Sequence, residues 1–473
     1  MAYKTVNPYT NEVVRTFEDT TDAELEKTLE TAHALYKTFR KQDVSKRADM
    51  LREIAAKIRE NAKELAEMLT VEMGKLIGEA EGEVELTAII AEYYADNGPK
   101  MLEPQEIETG ANGIAELHYQ STGVLMMVEP WNFPYYQVIR VFAPNFIVGN
   151  PMILKHASNT PGSAELLTDV ISSVAPEGSL TNLFLNYDQV EKAIGDPRVQ
   201  GAALTGSERG GASIGEAAGK NLKQATLELG GMDPFIVLSD ANMDIVADAA
   251  WRARIYNTGQ ECTSSKRFIV MEDKYDEFVE RLKDNFSKLK PGNPLDPETT
   301  LAPMNSKGAK EELQEQVDEA VAAGATVYYG NEKYEDEEGQ FFMPTILTDI
   351  TTDNPVHKTE LFGPVAVVYK VSSVQEAIDL ANDSQYGLGG SIYTADTERG
   401  YEIAKEIETG MMFVNTPRYS LPELPFGGVK RSGFGREMSR TGMMAFINEK
   451  LILKADAPDM DNLAGALIAS QEI

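Results

Sequence analysis

Residues 199–238, VQGAALTGSERGGASIGEAAGKNLKQATLELGGMDPFIVL, show the alternating pattern from which the fold class follows. Short apolar runs of strand length alternate there with helical stretches, and these runs occupy 200–204, 222–227 and 234–238. Similar runs precede them in the chain, at 123–128, 151–155 and 181–185. Strands that alternate with helices form a parallel sheet covered by helices. We therefore predict an α/β domain whose parallel sheet contains these runs.

A second series of strands and helices follows residue 262. We expect its strands at 266–271, 325–329, 366–371 and 390–393. We expect its helices at 275–289, 309–323 and 374–382. The junction between the two domains is predicted at Leu229-Gly230-Gly231, because paired glycines let the backbone turn without steric cost. Crevices between such domains are common ligand sites.

The N-terminal part of the chain, 21–97, has the pattern of helices. Thr21 and Glu24 have the spacing of a capping box. Leu51, Ile54 and Ile58 recur at helical spacing further along. We therefore expect helices before the first sheet.

Composition and charge exclude some functions. The chain has 473 residues, of which 42% are hydrophobic and 25% charged, as in a globular protein of two or three domains. Its 44 Lys and Arg against 75 Asp and Glu leave a formal charge of −31, which repels a phosphate backbone and excludes general nucleic-acid binding. We interpret the acidic excess as a solubility feature. Any anionic ligand must nevertheless meet a locally positive pocket.

The location of the protein is predicted from its apolar runs, its first residues and its cysteine usage. No apolar run approaches the roughly 20 residues that span a bilayer, so we expect no membrane segment. The first residues lack the basic and apolar pattern of a signal peptide. The single cysteine cannot form an internal disulfide. These features predict a cytoplasmic protein.

Several common functional motifs are absent from the sequence. The glycines at 387–390 and 433–435 lack the G-x-G-x-x-G spacing, which excludes a standard Rossmann fingerprint. The segment 215–220, GEAAGK, is one residue short of a phosphate-binding loop and is followed by Asn221. The histidines have no metal-ligand spacing; they are His33, His118, His156 and His357. We therefore expect no phosphoryl transfer, no Ser-His-Asp hydrolase and no bound metal.

Cys262 is a candidate nucleophile because of its neighbours. The segment 259–265, GQECTSS, surrounds it with small and polar residues that favour an accessible sulfur. If the segment opens a helix, the backbone N–H groups there lower the pKa of the thiol and provide a donor for an oxyanion. The alternative is a buried cysteine that acts as a small hydrophobic residue.

Two further polar residues are candidates for catalysis. Glu228 ends the predicted strand at 222–227, so we expect its carboxylate near the mouth of the crevice between the domains, where a general base is needed. A solvated glutamate at a strand end is the alternative. Asn132 lies between Pro130 and Pro134 on a stiff turn, and its amide can donate to an oxyanion; an ordinary turn asparagine has the same context.

These segments are parts of five motifs that stand in order along the chain: EPWNFP (129–134), LELGG (227–231), GQEC (259–262), ELFGPV (360–365) and PFGGVKRSGFGRE (425–437). Together they resemble the aldehyde dehydrogenase superfamily from near residue 5 to about 455. The resemblance implies an α/β fold with two doubly wound domains, for cofactor binding and for catalysis, and a small β oligomerisation arm. It also implies a homodimer or a homotetramer.

The resemblance also implies domain boundaries. The cofactor-binding domain with its N-terminal helices takes 1–118 and 130–229. The catalytic domain takes 230–430. The oligomerisation arm and the C-terminal segment take 119–129 and 431–473. The tail from Asp456 is interpreted as a surface arm, a subunit contact or a frayed end.

Catalytic roles follow from the same resemblance. Cys262 is implied to be the nucleophile, Glu228 the general base and Asn132 the oxyanion donor. The thiolate attacks an aldehyde, a hydride passes to nicotinamide, and Glu228 activates the water that releases a carboxylic acid from the thioester. An inactive binding or structural relative is the alternative, against which the intact trio argues.

A nicotinamide dinucleotide is the implied cofactor. Lys155 matches the lysine that bonds the adenosine ribose, and Glu360 matches the glutamate that holds the nicotinamide ribose. The loop Thr205-Gly206-Ser207 resembles the one that places a helix N-terminus at the pyrophosphate. Further cofactor contacts are implied at Trp131, Leu229 and Phe362.

The choice of nucleotide depends on Ser158. Many NAD-selective relatives have a glutamate there, whose charge repels a 2′-phosphate, whereas serine leaves room for one. We therefore expect NADP, with NAD as the second choice. Glu208, one residue past the loop, acts against this expectation because it is negatively charged.

The substrate is predicted from Arg140, which is similar to the arginine that binds the substrate carboxylate in succinate-semialdehyde dehydrogenases. Ser420 resembles their second carboxylate contact. Some members carry another arginine where this chain has Tyr256, and Arg418 is a candidate substitute. A broad-specificity or different semialdehyde dehydrogenase therefore stays open, and so does an ion pair of Arg140 with a glutamate at a subunit contact.

One redox property is also predicted. Some relatives hold a second cysteine close to the nucleophile. Thr263, Ser264 and Ser265 occupy those places here. We therefore expect no intramolecular disulfide switch.

Overall fold

A computed structural model describes residues 3–334, 339–417 and 420–455. Arg418 and the tail from Asp456 lie outside the described residues. Within these ranges, no helix combines the length and the apolar composition that a membrane span requires.

The N-terminal region is a short hairpin followed by helices, as predicted for 21–97. The hairpin strands are β1 (Tyr3–Val6) and β2 (Val13–Phe17). The helices are α1 (Asp22–Phe39), α2 (Val44–Glu60), α3 (Ala62–Met73) and α4 (Ile77–Met101). The predicted capping box at Thr21 and Glu24 is present. Two strands of a separate small sheet follow, β3 (Gln105–Ile107) and β4 (Ile114–Ser121).

The first large sheet contains parallel strands that alternate with helices, which confirms the predicted α/β pattern. Its strands are β5 (Val124–Glu129), β6 (Met152–His156), β7 (Leu180–Asn182), β8 (Val199–Thr205) and β9 (Gln224–Glu228). The helices between them are α5 (Tyr136–Val148), α6 (Pro161–Ser172), α7 (Tyr187–Gly195) and α8 (Glu208–Lys220). The strand order is β9-β8-β5-β6-β7.

Two predicted strands differ from the structure. The run 181–185 is a strand only to Asn182, because the chain then turns toward Asn186, which caps α7. The run 234–238 does not join the first sheet. It lies beyond the Gly230-Gly231 turn and pairs with strands of the second sheet.

The second sheet follows the predicted junction at 229–231. The strands of this part of the chain are β10 (Asp233–Val237), β11 (Ser265–Met271), β12 (Thr326–Tyr329), β13 (Thr345–Thr348), β14 (Val365–Val371), β15 (Tyr386–Gly387), β16 (Ser391–Tyr393) and β17 (Phe413–Val414). The helices are α9 (Met243–Ile255), α10 (Glu272–Phe286), α11 (Lys307–Ala322), α12 (Val374–Asn382) and α13 (Thr397–Glu406). The sheet order is β12-β13-β14-β11-β10-β16-β17. Within this seven-stranded sheet, among the described residues, the β12–β13 pair is antiparallel and the other pairs are parallel.

The C-terminal part returns to the first sheet and then forms an arm. Its elements are β18 (Val429–Lys430), β19 (Gly433–Phe434), α14 (Ser439–Met443) and β20 (Ile447–Lys454). β18 pairs with β15, and β19 adds to the edge of β9. β20 pairs along β4, and β4 pairs with β3, which makes a separate antiparallel sheet.

The boundaries predicted for the arm are partly wrong. Residues 124–129 form β5, which lies between β8 and β6 inside the first sheet because it is hydrogen-bonded to both. Residues 433–434 also belong to that sheet. The arm itself is built from 105–107, 114–121 and 447–454, and its exposed apolar side chains include Ile114, Leu451 and Leu453.

Helix α5 is the element that positions the candidate site. Every residue of α5 is buried, including the polar Gln137 and Arg140. Burial of long polar side chains on a central helix is costly unless they have partners. Gln137 and Arg140 have such partners in Asn132 and Glu437.

Candidate active site

Cys262 lies on a turn, 260–264, which we call the cysteine turn, between a 3-10 turn (Tyr256–Gly259) and the start of β11. The segment does not open a helix, because a strand follows the turn directly, so helix N–H groups do not lower the pKa of this thiol. The side chain is half-buried. Burial raises the pKa of the thiol to about 12, although the positive charges of Arg140 and Lys266 act in the opposite direction. The thiol is therefore protonated at neutral pH in this state.

Lys266 and Arg254, both buried, hold the cysteine turn in place. Lys266 Nζ donates to the backbone carbonyls of Glu261 and Cys262, each at 2.8 Å, and forms an ion pair with Glu360 Oε1 at 3.1 Å. Arg254 donates to the Ser264 hydroxyl and to backbone carbonyls of the ELFGPV segment. Neither residue was predicted from the sequence. The signal that could have indicated each of them is a basic residue inside a buried helix or strand.

Asn132 is bound to the cysteine turn through its amide. Its Nδ2 donates to the backbone carbonyl of Gln260 at 3.1 Å, and its Oδ1 accepts from Gln137 Nε2 at 3.0 Å. Asn257 Nδ2 donates to the backbone carbonyls of both Asn132 and Gln260. The structure thus brings the predicted oxyanion donor to the turn that carries the predicted nucleophile. Gln137 and Asn257 lie outside the family motifs, which is why sequence analysis missed them.

The backbone before the cysteine turn is strained. Asn257 and Thr258 both have a φ of 54°, in the left-handed region that a β-branched residue rarely adopts. Each such residue costs roughly 1–3 kcal/mol and persists only when its surroundings hold it. Here the Thr258 hydroxyl donates to the backbone carbonyl of Ala302 at 3.2 Å. Strain of this kind clusters at functional sites.

An inner cavity of about 330 Å³ opens on the cysteine turn. The side chains around it include Cys262, Arg140, Tyr136, Tyr256, Ser420 and Phe426. The predicted substrate residues Arg140 and Ser420 therefore lie in one cavity with Cys262. Arg252, which the sequence analysis did not single out, also lines this cavity and forms an ion pair with Asp248 at 3.0 Å.

Arg140 is buried and already has a protein partner. Its Nε forms an ion pair with Glu437 of the same chain, and its Nη2 donates to Thr205 Oγ1 at 3.0 Å. The guanidinium also lies 4.9 Å from the ring centroid of Tyr136 and 4.3 Å from that of Phe426. A guanidinium has five N–H groups, so the described bonds leave donors for a ligand in the inner cavity. The glutamate partner lies in this chain, not at a subunit contact.

Glu228 lies deeper than expected. It ends β9 as predicted, but its carboxylate is buried and is not among the groups that line the inner cavity, so the expected position at the crevice mouth is wrong. The reason is that Gly427 packs closely on it: a Cβ at this glycine would lie 2.4 Å from Glu228 Oε1. Burial, together with the charge of Glu437, raises the pKa of Glu228 well above its usual range.

A central cleft of about 310 Å³ adjoins the inner cavity, and Cys262 lines both. The predicted cofactor residues that line this cleft are Trp131, Thr205, Gly206, Ser207, Leu229, Glu360 and Phe362. Trp131 meets Phe362 edge to face, with ring centroids 5.7 Å apart. Glu360 reaches the cleft because Gly230 has no side chain; a Cβ there would lie 2.5 Å from Glu360 Oε2. The structure therefore groups these residues around the cysteine.

An outer cavity of about 420 Å³ continues from the central cleft, and Ser207 lines both. Lys155, Tyr187 and Arg209 also line it. Burial lowers the pKa of Lys155 to about 8. Ser207 caps α8 by accepting from the backbone N–H of Gly210, so the positive end of the helix faces the cavity. These features together fit a dinucleotide: a long crevice, a helix N-terminus for phosphates and cationic side chains.

The residues that bear on nucleotide choice lie around the outer cavity. Ser158 is half-buried and is not among the lining residues; its backbone carbonyl accepts from Lys4 N at 3.1 Å. Glu208 forms an ion pair with Arg431, which offsets its negative charge. Arg209, on the first turn of α8, is exposed and supplies a positive charge that sequence analysis missed.

The chain is similar to known proteins in both sequence and structure. The family model described as "Aldehyde dehydrogenase family" matches residues 1–452. Succinate-semialdehyde dehydrogenase [NADP(+)] of Deinococcus radiodurans is 48% identical over 451 residues, 95% of this chain and 94% of that protein. The crystal structure of succinic semialdehyde dehydrogenase from Streptococcus pyogenes in complex with NADP+ has a TM-score of 0.95 and 53% identity, covering 96% of this chain and 100% of that chain.

The same fold is found in a protein of much lower sequence identity. Betaine aldehyde dehydrogenase from Staphylococcus aureus, in complex with NAD+, has a TM-score of 0.93 at 28% identity and covers 98% of this chain and 93% of that chain. Its name indicates a different substrate, and its crystal structure contains NAD+, whereas the relatives above are named for succinate semialdehyde and NADP. The shared fold therefore does not decide substrate or nucleotide, and individual side chains must do so.

Proposed function

Because the chain belongs to the aldehyde dehydrogenase family, we propose that it oxidises succinate semialdehyde to succinate with NADP, through the thiol of Cys262. The observation that carries this proposal is the inner cavity, in which Arg140 and Ser420 share the lining with Cys262. A substrate with an aldehyde at one end and a carboxylate at the other matches a nucleophile at one wall and a cation at another. The names of the two succinate-semialdehyde dehydrogenases described above agree with this substrate.

The inner cavity carries the local positive charge that an anionic substrate needs on this acidic protein. The formal charge of −31 opposes the approach of an anion. Arg140 supplies a buried guanidinium whose remaining N–H groups can bond a carboxylate, and the exposed Arg252 adds another positive charge at the same cavity. The cavity is small, about 330 Å³, which suits a short aliphatic chain.

The reaction is assigned to residues as follows. Cys262 Sγ attacks the aldehyde carbon, and the thiol proton passes to solvent. The oxyanion accepts hydrogen bonds from Asn132 Nδ2 and from the backbone N–H of Cys262. NADP, held by the residues of the central cleft, would supply the acceptor for the substrate's hydride. Glu228 then removes a proton from the water that attacks the thioester, after its buried side chain turns toward Cys262.

The cofactor is assigned to the central cleft and the outer cavity. Glu360, Trp131 and Phe362 would hold its nicotinamide end, and the loop 205–207 at the start of α8 its pyrophosphate. Lys155 and Arg209 would face the adenosine end, where their charges favour an extra phosphate. Ser158 has no charge that would repel it. The succinate-semialdehyde dehydrogenases of Deinococcus radiodurans and Streptococcus pyogenes, which are described with NADP, support this choice over NAD, which is the second candidate.

The test is the rate at which reduced nicotinamide forms from succinate semialdehyde, measured in parallel with NADP and NAD. We expect turnover that is faster with NADP and disappears in Cys262→Ala. A Cys262-dependent rate with other aldehydes but none with succinate semialdehyde would identify a different semialdehyde dehydrogenase. No turnover of any aldehyde with either nucleotide would favour an inactive relative.

We also propose that the enzyme is a cytoplasmic homodimer or homotetramer assembled through its arm. The arm sheet exposes Ile114, Leu451 and Leu453, and exposed apolar side chains on a sheet favour association. Light scattering coupled to size-exclusion chromatography should give two or four times the chain mass of 52.0 kDa. A monomer at micromolar concentration would contradict the assembly, and recovery in the membrane or secreted fraction would contradict the location.

A further inference from the structure

Gln137 has an unusual position for a residue outside the family motifs. It lies on the first turn of α5, is buried, and lines both the inner cavity and the central cleft. Its Nε2 donates to Asn132 Oδ1 at 3.0 Å. Its own Oε1 is buried without a hydrogen-bond partner among the described residues. The hydrogen bond to Asn132 Oδ1 therefore fixes the orientation of the Gln137 side-chain amide.

The hydrogen bonds decide which way the Asn132 amide faces. The backbone carbonyl of Gln260 can only accept, so the group of Asn132 that faces it must be Nδ2. The Oδ1 then faces Gln137, which must donate. A flipped Asn132 amide would set its oxygen against the Gln260 carbonyl and its NH₂ against the NH₂ of Gln137. The network therefore has one favourable arrangement, because the Gln260 carbonyl can act only as an acceptor.

The donor of this bond is held on a rigid support. Helix α5 lacks a side-chain cap of its own, and Glu83 of α4 replaces it: the carboxylate accepts from the backbone N–H groups of Tyr135 and Tyr136, at 2.9 and 3.2 Å. Glu83 is in turn paired with the buried Lys75. The start of α5 therefore cannot shift easily, and Gln137 Nε2 stays directed at Asn132.

We propose that Gln137 is a positioning residue that locks the amide of Asn132 with Nδ2 toward the reaction centre. Nδ2 carries two hydrogens, one of which Gln260 takes, so the other is directed to the oxyanion by default. This inference rests on the proposed function, because it requires Asn132 to be the oxyanion donor. In this proposal, Gln137, which lies outside the family motifs, sets the orientation of the Asn132 amide, which lies inside one.

The competing role for Gln137 is a direct contact with the substrate, since it also lines the inner cavity. The two roles differ in their dependence on the aldehyde. Every aldehyde forms the same oxyanion, so a positioning role affects all substrates equally. A contact with the distal part of the substrate affects succinate semialdehyde and leaves propanal unchanged.

The experiment is a double-mutant cycle of Gln137→Met and Asn132→Ala. Methionine keeps the length of the side chain and removes the donor. We expect Gln137→Met to lower kcat/KM by about 10- to 100-fold, equally for succinate semialdehyde and propanal, because a misdirected oxyanion donor loses most of its effect. The pre-steady-state formation of reduced nicotinamide should slow by the same factor, while the Kd for NADP stays unchanged. In the Asn132→Ala background, Gln137→Met should change kcat/KM by less than about 2-fold.

The outcomes separate this inference from the proposed function. If Asn132→Ala lowers activity but Gln137→Met does not, or if the two losses multiply, the positioning role is wrong and the proposed function stands. A loss confined to succinate semialdehyde identifies a substrate contact and also overturns the positioning role. If Asn132→Ala itself has no effect, the proposed role of Asn132 fails first. Gln137→Leu serves as the second variant, and its thermal midpoint together with that of Gln137→Met checks folding.

Discussion

The inner cavity and the outer cavity are built in different ways. The inner cavity draws its side chains from α4, α5, α9, the cysteine turn and residues of the stretches up to 417 and from 420 to 426, which are far apart in the chain. Its central charge, Arg140, is buried against Glu437. The outer cavity is lined by elements of one α/β domain, namely β5, β6, α7, β8 and α8, and its Arg209 is exposed. Arg140 and Arg209, at the two ends of one crevice, therefore lie in opposite environments.

This difference has an energetic consequence. Removing one partner of a buried ion pair costs about 3–5 kcal/mol, because the other charge stays buried and uncompensated. An exposed charge is worth roughly 0–1 kcal/mol and is screened by salt. Substitutions at the inner cavity should thus have large and salt-independent effects, and those at the outer cavity small and salt-dependent ones.

The largest effect is expected for Arg140→Ala. The substitution removes the proposed carboxylate anchor, so the KM for succinate semialdehyde should rise by about 100-fold, the scale for a buried charged hydrogen-bond partner. The KM for propanal, which has no carboxylate, should rise far less. Steady-state kinetics with both aldehydes measure the difference.

Arg140→Ala also leaves the buried Glu437 without its partner, so a control for damage to the fold is needed. Arg140→Lys keeps the charge and serves this purpose. Equal losses for succinate semialdehyde and propanal in Arg140→Ala would show that Arg140 supports the structure and does not bind the carboxylate.

An intermediate effect is expected from the titration of Lys155. Burial lowers its pKa to about 8, so the ammonium is charged below this pH and neutral above it. If its charge holds the nucleotide, the Kd for NADP should rise by about 10-fold between pH 7 and pH 9, the scale of one hydrogen bond to a charged group. Lys155→Met should bind weakly at both pH values, without this rise.

The matched control for Lys155 is Lys220→Met, at the exposed far end of α8. This variant should keep the pH dependence of the wild type, measured by titration of protein fluorescence with NADP. A wild-type Kd that is flat from pH 7 to pH 9 would mean that Lys155 binds the nucleotide without its charge or not at all.

The smallest effect is expected for Arg209→Gln. Loss of one exposed charge should raise the KM for NADP by about 3-fold and leave the KM for NAD unchanged, and added salt should reduce the difference. Arg281→Gln, an exposed arginine on α10 of the second domain, is the matched control and should change neither value. A rise in KM for both nucleotides that does not depend on salt would contradict this prediction, because it would show that Arg209 acts as a buried contact does.

Much of the fold and most of the candidate site could be predicted from the sequence, because local patterns carry them. Strand and helix alternation depends on apolar periodicity, and the capping box at Thr21 depends on two side chains three residues apart. The motif glycines are also local signals: a Cβ at Gly231 would lie 2.4 Å from the backbone carbonyl oxygen of Cys262, so this position requires glycine. The motifs therefore identified Cys262, Asn132 and the central cleft residues together.

The errors arose where long-range packing decides. The sequence left open whether Cys262 opens a helix, and in the structure the chain after it forms β11, a strand of the second sheet. Glu228 was expected at the crevice mouth, but Gly427, almost 200 residues later in the chain, packs over its carboxylate. Residues 124–129 were assigned to the arm, but their hydrogen bonds go to β6 and β8.

The amino-acid sequence alone was sufficient for the family, the two α/β domains and the candidate nucleophile, since motif order and periodicity are properties of the chain. The tertiary structure alone decided which polar groups are buried side by side. Lys266 beneath the cysteine turn, Gln137 against Asn132 and Glu437 against Arg140 come from elements that no local pattern connects. Electrostatic and hydrogen-bond energies depend on distance and burial, and neither quantity exists until the chain has folded.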